Sequence, residues 1–302
     1  MRYILIALLL FNYTPAQKKY KIGLNLEVGT TYNHSYAMSA DIDQKIMGMD
    51  QEIGTTISGD MTFTVKEATK SGYNIEAAYT SLGMDLTSQF MEMSAYSDDE
   101  DPDMFGKVMK GMMNQPFNVK MKRSGQIEEI TGLENMMESA MGSFGLSEAE
   151  INQVTPQLEG SFGEDAFRGN IEMITWIFPD KKKVSIGETW SNEIRLKSGM
   201  NALMKNTFTL VSANKEFYTI GVSSNIITDD QTSMNLPTAG DATIDMTGSM
   251  TGTFKVDAKS NWIKTAKLEQ SMKGTVSVGA SDQLPDGLDF EMSFTTLMEV
   301  SN

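Results

Sequence analysis

Apolar and polar residues alternate along the first third of the chain, from Lys18 to about Met93. The alternating positions are Tyr32, His34, Tyr36, Met38, Ala40 and Ile42, and the pattern returns at Met61, Phe63 and Val65. A period of two residues is typical of strands that bury one face, most often in antiparallel sheets. Several runs are much longer than the usual strand of about five or six residues. The pattern therefore predicts a large curved sheet.

A short turn motif occurs twice, as Val28-Gly29-Thr30-Thr31-Tyr32 and as Ile186-Gly187-Glu188-Thr189-Trp190. A glycine before a Thr and a large aromatic residue indicates a glycine turn that leads into a strand. The matches that follow keep the same order: Thr62-Phe63-Thr64-Val65 with Thr207-Phe208-Thr209-Leu210, Tyr73-Asn74-Ile75 with Tyr218-Thr219-Ile220, and Phe117-Asn118-Val119 with Phe254-Lys255-Val256. We interpret Gly29, Tyr32, Pro179, Gly187 and Trp190 as structural residues of a β unit that occurs twice. Chance likeness between β-hairpins is the alternative.

Helical spacing appears in two places. Phe105, Val108, Met109, Met112 and Met113 share one helical face, directly after the acidic run at residues 98–103. A longer insert follows, with capping-box spacing at Thr131 and Glu134 and again at Ser147 and Glu150. Its apolar positions are Leu133, Met136, Met137, Ala140, Met141, Ile151, Val154, Phe167, Ile171 and Ile174, and Pro179 ends it. We expect these helices to cover an open face or mouth of the sheet.

These patterns predict a mainly β (α+β) protein: two similar curved antiparallel sheets or half-barrels with a helical insert between them. Residues 1–16 form a signal peptide in this scheme, and residues 17–130 form the first β repeat, with a short acidic and Met-rich helical excursion near residues 97–115. Residues 131–177 are the helical insert, and residues 178–302 are the second β repeat.

The first residues predict export. Arg2 precedes the short apolar run of residues 4–11, and small residues lead to Ala16, an arrangement typical of a cleaved secretory signal. The run is short for a membrane span, so we expect no transmembrane segment in the mature chain. The predicted location is periplasmic, outer-membrane-associated or extracellular. A formal net charge of −15 argues against nucleic acid as a partner, because phosphate binding needs clustered Lys and Arg.

No constellation of residues predicts catalysis. His34 is the only histidine and there is no Cys, which excludes the usual His/Cys zinc site and the Cys–His nucleophile. The Ser212-Ala213-Asn214-Lys215 sequence fits a turn, and residues 98–103 fit a solvated acidic loop better than a calcium loop. We therefore predict no catalytic residue, no metal and no cofactor. An enzyme that uses paired carboxylates remains an alternative.

The methionine content is unusual, with 25 Met in 302 residues. Methionine fills irregular cores and also lines surfaces that hold variable apolar ligands, and clustered thioethers such as Met91 and Met93 can bind Cu(I). Core packing is the interpretation we favour, and the lining of an apolar ligand comes next. The candidate lining residues are Met109, Met112, Met113, Met136, Met137, Met141 and Phe167.

The chain resembles the two-repeat exported β-rich proteins of Bacteroidota that carry a domain of unknown function. The resemblance lies in Ala16-Gln17, in Phe178-Pro179-Asp180-Lys181, and in the spacing of Val184, Gly187 and Trp190. It implies a place in the cell envelope and no known activity. Many members are lipoproteins, whereas this chain lacks the cysteine that would carry the lipid. The sequence thus predicts an exported, non-enzymatic envelope protein that binds an apolar small molecule or lipid between the curved sheet and the Met-rich helices. The alternative is a cell-surface structural or protein-interaction module with an envelope protein as its partner.

Overall fold

The structure is a computed structural model that describes residues 18–143, 151, 155, 159–160, 162–180, 183–197, 201–229, 233–236, 240–280 and 284–302. The predicted signal peptide and the predicted helix start at Ser147 and Glu150, with Val154, lie outside the described residues. The strands are β1 (Lys19–Tyr20), β2 (Thr31–Ile46), β3 (Met49–Ala68), β4 (Gly72–Ser88), β5 (Glu92–Tyr96), β6 (Phe117–Lys122), β7 (Ile127–Thr131), β8 (Val184–Ser185), β9 (Thr189–Leu196), β10 (Ala202–Ala213), β11 (Phe217–Thr228), β12 (Ser233–Leu236), β13 (Gly240–Asp257), β14 (Ile263–Val278) and β15 (Leu288–Ser301). The helices are α1 (Met104–Met112), α2 (Leu133–Ser143) and α3 (Glu164–Thr175).

The predicted fold class is confirmed: the protein is mainly β, with large antiparallel sheets and a few helices. Thirteen of the described strands form one sheet in the order β7-β6-β4-β3-β2-β15-β14-β13-β11-β10-β9, with β5 on β4 and β12 on β13. The last strand pairs with the first long one, for example Thr296 of β15 opposite Ala40 of β2. This pairing joins the two predicted sheets into one. The short strands β1 and β8 form a second, two-stranded sheet.

Alternation sets the two faces of the sheet. In β2 the even-numbered residues face the core, and His34 among them is only 2% exposed, while Thr31 and Asn33 face solvent. The register aligns core-facing residues across ten strands into what we call the cross-strand row: Trp190, Phe208, Val222, Gly252, Leu268, Met298, Met38, Ile57, Met84 and Ala95. One side of a single large sheet therefore carries most of the apolar surface.

Helix α3 lies against both edges of this sheet. On the β7 edge, Arg168 Nη1 donates to Ile127 O (2.9 Å) and Ile127 N donates to Glu172 Oε1 (2.8 Å). On the β9 edge, Asn192 Nδ2 donates to Trp176 O (2.5 Å). Edge strands expose unpaired backbone groups. Here the side chains of Arg168 and Glu172 bond to the backbone of β7, and the backbone oxygen of Trp176 accepts a bond from Asn192 of β9. The helical insert therefore connects two edges of the sheet, in addition to covering one of its faces.

Most of the apolar side chains form one continuous core. Met61 and Phe63 of β3 are 1% exposed, as are the aromatic rings of Tyr73 and Phe117 on neighbouring strands. The same cluster includes the inward residues of α1, α2 and α3. In the described ranges no helix is both long and apolar enough to cross a membrane.

Candidate functional site

The residues predicted to line an apolar ligand lie within the core. The predicted set is Met109, Met112, Met113, Met136, Met137, Met141 and Phe167, and all but Met113 are buried. Met109 and Met112 of α1 are 0% exposed, and Phe167 packs edge-on against Phe117 with ring centroids 5.0 Å apart. Neither of the two best-formed cavities among the described residues is lined by any of them. A ligand at this place would have to push packed side chains apart.

The residues of the recurring motif form two turns of the same geometry. Gly29 and Gly187 have φ angles of 81° and 82°, in the left-handed region that glycine adopts without strain. Gly29 N donates to Val65 O and Gly187 N donates to Leu210 O, both across 2.8 Å. Tyr32 lies opposite Phe63 in the sheet, just as Trp190 lies opposite Phe208. Pro179 follows α3 and precedes β8. These positions are part of the scaffold.

Four large apolar side chains are exposed together at one end of the sheet, and we call them the apolar tip: Met47, Met49, Phe90 and Met91. Their exposed fractions are 68%, 61%, 81% and 53%. Met47 lies in the turn between β2 and β3 and Met49 is the first residue of β3, while Phe90 and Met91 lie in the turn between β4 and β5. Gln89 Nε2 donates to Asp50 O across 3.2 Å and so connects the two turns. A contiguous exposed apolar patch is a candidate interaction site.

The core-facing side of the sheet is covered unevenly along the cross-strand row. Phe208, Leu268 and Met298 are 1%, 2% and 7% exposed, whereas Met38, Ile57 and Met84 are only half-buried. From Met38 the half-buried positions continue along β2 to Ile42 and Ile46, next to the tip. We call the half-buried residues Met38, Ile42, Ile46, Ile53, Ile57 and Met84 the open face. Met49 of the tip lies opposite Ile46 of the open face, so the two adjoin each other.

One polar pair interrupts the open face. Gln44 and Gln51 lie opposite each other, and the Nε2 of Gln44 donates to the Oε1 of Gln51 across 3.0 Å. Two of their four amide hydrogen-bonding groups are thereby paired with each other, which lowers the cost of placing them among apolar neighbours. The periodicity of the sequence did not predict this surface. The signal that could have found it is the pair of turns whose sequences, Ile46-Met47-Gly48-Met49 and Phe90-Met91, are apolar where turns are usually polar.

The larger cavity is a groove of about 640 Å³ on the opposite, polar face of the sheet. It crosses β2, β15, β14, β13 and β11, and its charged lining residues are Lys255, Lys267 and Glu299. Lys255 Nζ also lies 3.8 Å from the ring centroid of Phe217. Threonine and serine side chains account for much of the remaining lining. The charged lining residues are of mixed sign, so they favour neither an anionic nor a cationic ligand.

Titratable groups offer little for catalysis in the described residues. The Tyr96 hydroxyl donates to Asp85 Oδ2 across 2.5 Å, and this bond, followed by one from Ser94, lowers the pKa of the Asp85 carboxyl. Asp103, in the acidic run, accepts from Gly106 N across 2.7 Å and caps α1. Among the described residues no group of three or more His, Cys, Asp or Glu side chains is placed to hold a metal ion.

Comparison with known proteins gives a family. Residues 70–263 match the sequence model of a family of unknown function, DUF6263. The chain belongs to this family. In this DUF6263 protein the matched region runs from the turn before β4 to the first residue of β14. It therefore contains α1, α2 and α3 and the Phe90–Met91 half of the tip, whereas Met47 and Met49 lie before it. No curated protein matched the chain.

Three solved structures show weak likeness. Lipovitellin, in a structure of its lipid–protein interactions, has a TM-score of 0.44 at 10% identity over 90% of this chain. The chain spans 25% of the length of that lipovitellin chain. The COG4313 outer membrane channel from Pseudomonas putida F1 has a TM-score of 0.23 at 8% identity, over 92% of this chain and 97% of the channel. The beta domain of the Bordetella autotransporter BrkA has a TM-score of 0.22 at 9% identity, over 89% and 99%. Likeness at this level establishes neither a shared fold nor a shared function.

Proposed function

We propose that this protein binds a lipid by an acyl chain, on the surface made by the apolar tip and the open face. The observation that carries the proposal is the clustering of Met47, Met49, Phe90 and Met91 at the end of a half-covered apolar sheet face. This location differs from the predicted one between the sheet and the Met-rich helices, where the methionines are packed in the core.

The dimensions of the surface suit an acyl chain. From Met38 to Ile46, β2 covers about 27 Å at the rise of an extended strand. One leaflet of a bilayer is half of a hydrocarbon core about 30 Å thick, so the strip is long enough for an extended acyl chain. Methionine is prominent on the surface, at Met38, Met47, Met49, Met84 and Met91, and its flexible thioether chain adapts to variable apolar ligands.

Burial of the tip would supply the free energy. Covering one exposed Phe or Met side chain contributes about 1.5–3 kcal/mol. The chain carries a net charge of −15, so an anionic headgroup would be repelled over short distances, within a Debye length of about 8 Å. We therefore expect zwitterionic or neutral lipids to bind more tightly than anionic ones.

We also propose the finer parts of the sequence prediction. They are export by residues 1–16, a place in the cell envelope, an origin in Bacteroidota, and descent of the β units at Gly29 and Gly187 from one repeat. The matching turn bonds to Val65 O and Leu210 O support the last of these.

A second candidate function is a structural or protein-interaction module. The observation that favours it is strand β5 (Glu92–Tyr96), which pairs with β4 and, among the described strands, with no other. A partner strand could add to that free edge beside the tip. In this case the tip would pack against protein instead of lipid.

Photo-crosslinking distinguishes the two functions. The full chain is mixed with a long-chain fatty acid that carries a diazirine near its methyl end, below the concentration at which the fatty acid aggregates. After irradiation and proteolysis, mass spectrometry locates the adducts. We expect them on the tip and the open face, around Met49, Phe90 and Met38. Adducts that scatter over the polar groove near Lys255 and Lys267, or an absence of saturable adducts, would rule the lipid function out.

A further inference from the structure

The smaller cavity lies where four separate segments of the chain meet. Leu24 comes from the segment before β2, His34 from β2 itself, Thr175 from the end of α3, and Asn261 from the turn between β13 and β14. The remaining lining is apolar and includes Phe178 and Trp262. The cavity volume is about 10 Å³.

Two of the residues that line this cavity each have a polar atom without a partner among the described residues. Nε2 of His34 and Oδ1 of Asn261 are buried and make no hydrogen bond within the described part of the chain. Their residues are 2% and 4% exposed. A buried polar atom without a hydrogen bond is destabilising, and buried water is the usual way that native proteins satisfy such atoms.

We propose that the cavity is a binding site for one internal water molecule, which bridges His34 Nε2 and Asn261 Oδ1. The volume is about that of a single water site. Asn261 Oδ1 is an acceptor, so the bound molecule must donate a hydrogen there. Neutral imidazole can either donate or accept at Nε2, depending on its tautomer. A water molecule satisfies both atoms in either case.

The two atoms are held in place by their surroundings. The His34 ring packs edge-on against Phe63, with centroids 6.1 Å apart. Asn261 adopts a left-handed φ of 57°, and its backbone N donates to Asp257 O across 2.8 Å. Asp257 Oδ1 also accepts from Ser260 N across 2.8 Å, which fixes the turn.

The surroundings also do not suit a hard cation at this place. A hard cation such as sodium or calcium needs several oxygen ligands, and the lining offers Asn261 Oδ1 among mostly apolar neighbours. The water is the polar link between β2 and the β13–β14 turn, at the end of α3. Its site does not depend on lipid binding.

A crystal structure that resolves ordered waters tests the site directly, together with ¹⁷O magnetic relaxation dispersion, which counts long-lived internal waters in solution. We expect density for one water within hydrogen-bond distance of both atoms. In Asn261→Gly, which keeps the left-handed φ, and in His34→Phe, the count of long-lived waters should fall by one. Asn114→Gly is the matched control, because Asn114 has a left-handed φ of 58° in an exposed turn away from the cavity. Its water count should equal that of the wild type.

Two results would overturn the inference. One is a crystal structure in which the Asn261 amide has rotated to bond His34 Nε2 directly, with no water density. The other is a water count that stays the same in both cavity variants, or that falls equally in Asn114→Gly.

Discussion

The backbone N–H of Gly187 donates a hydrogen bond to the carbonyl oxygen of Leu210 across 2.8 Å. The bond ties the turn before β9 to β10, and Trp190 then stacks on Phe208 with ring centroids 6.0 Å apart. Gly187 reaches this geometry with a φ of 82°. A side chain added there would meet no atom within 4 Å, so the constraint on this position is conformational and not steric crowding.

Replacing Gly187 with Val should lower the free energy of unfolding by about 1–3 kcal/mol, because a β-branched residue is strained in the left-handed region. Gly187→Asn should cost less, since Asn tolerates this conformation. Urea unfolding of the full chain measures both. Gly142→Ala is the matched control: Gly142 is exposed on α2, also has no atom within 4 Å, and has no left-handed φ. It should be neutral or stabilising by up to about 1 kcal/mol. Equal losses at both glycines would contradict the conformational explanation.

His34 should make the protein less stable in acid. Burial lowers the pKa of His34 from 6.5 to about 4, with Asp60 opposing the shift. The unfolded chain therefore binds this proton more readily than the folded chain does. The stabilisation is fully present above pH 6.5 and is lost as the pH falls from 6.5 towards 4, by about 3 kcal/mol in all.

The wild type and His34→Phe should be compared by urea unfolding at several pH values, because the carboxylates contribute to both and cancel in the difference. The variant should lose less stability between pH 6.5 and 4. His34 is the only histidine, so its imidazole NMR signal can also be followed without assignment. A titration midpoint near 6.5 in the folded protein would contradict the buried neutral form.

Glu172 should destabilise the fold when it is ionised. Burial raises the pKa of Glu172, while the hydrogen bond from Ile127 N and the nearby Arg168 partly oppose the shift. The folded state thus holds the proton more tightly than the unfolded state, so stability falls as the pH rises from 4.5 through the raised pKa. Glu172→Gln removes this loss and keeps an oxygen that can accept from Ile127 N. The variant should gain stability relative to the wild type as the pH rises through this window.

Two further variants serve as comparisons for the Glu172 prediction in the same unfolding experiment. Glu172→Leu leaves Ile127 N without its acceptor and should cost about 1–3 kcal/mol. Glu164→Gln changes the exposed acid that pairs with the same Arg168 at 2.8 Å, and should stay within about 0.5 kcal/mol at all these pH values. The account of Glu172 does not hold if the relative stability of Glu172→Gln is flat with pH.

Local patterns in the sequence were enough to predict the fold class and which side of β2 and of α1 is apolar. The alternation through Tyr32 and Met38 marks the core-facing side of β2, and the spacing of Phe105 and Met109 marks the buried side of α1. Each pattern can be recognised within a few residues, because the spacing of apolar residues differs between a strand and a helix. The pairing of β15 with β2 was not visible, since it joins residues such as Met298 and Met38 that are far apart in the chain.

The degree of burial at apolar positions could not be predicted either. Met109 and Met38 occupy equivalent apolar positions in their patterns, yet Met109 is 0% exposed and Met38 is only half-buried. Periodicity shows which side of an element is apolar, whereas the packing of distant segments decides how completely that side is covered. Periodicity therefore predicted a ligand-lining role for helix methionines, most of which the structure packs in the core, and it did not reveal the exposed tip at Met49 and Phe90.

The most direct test of lipid binding is the affinity of the full chain for a fluorescent fatty acid, such as cis-parinaric acid, measured below its aggregation concentration. The tip variant is Met49→Ser with Phe90→Ser, and the matched control is Val211→Ser with Ile227→Ser, two apolar residues that are each 52% exposed on β10 and β11. We predict saturable binding by the wild type and the control, and binding about 10–100-fold weaker by the tip variant. Equal affinity of all three proteins, or no saturable binding by the wild type, would contradict the proposed function.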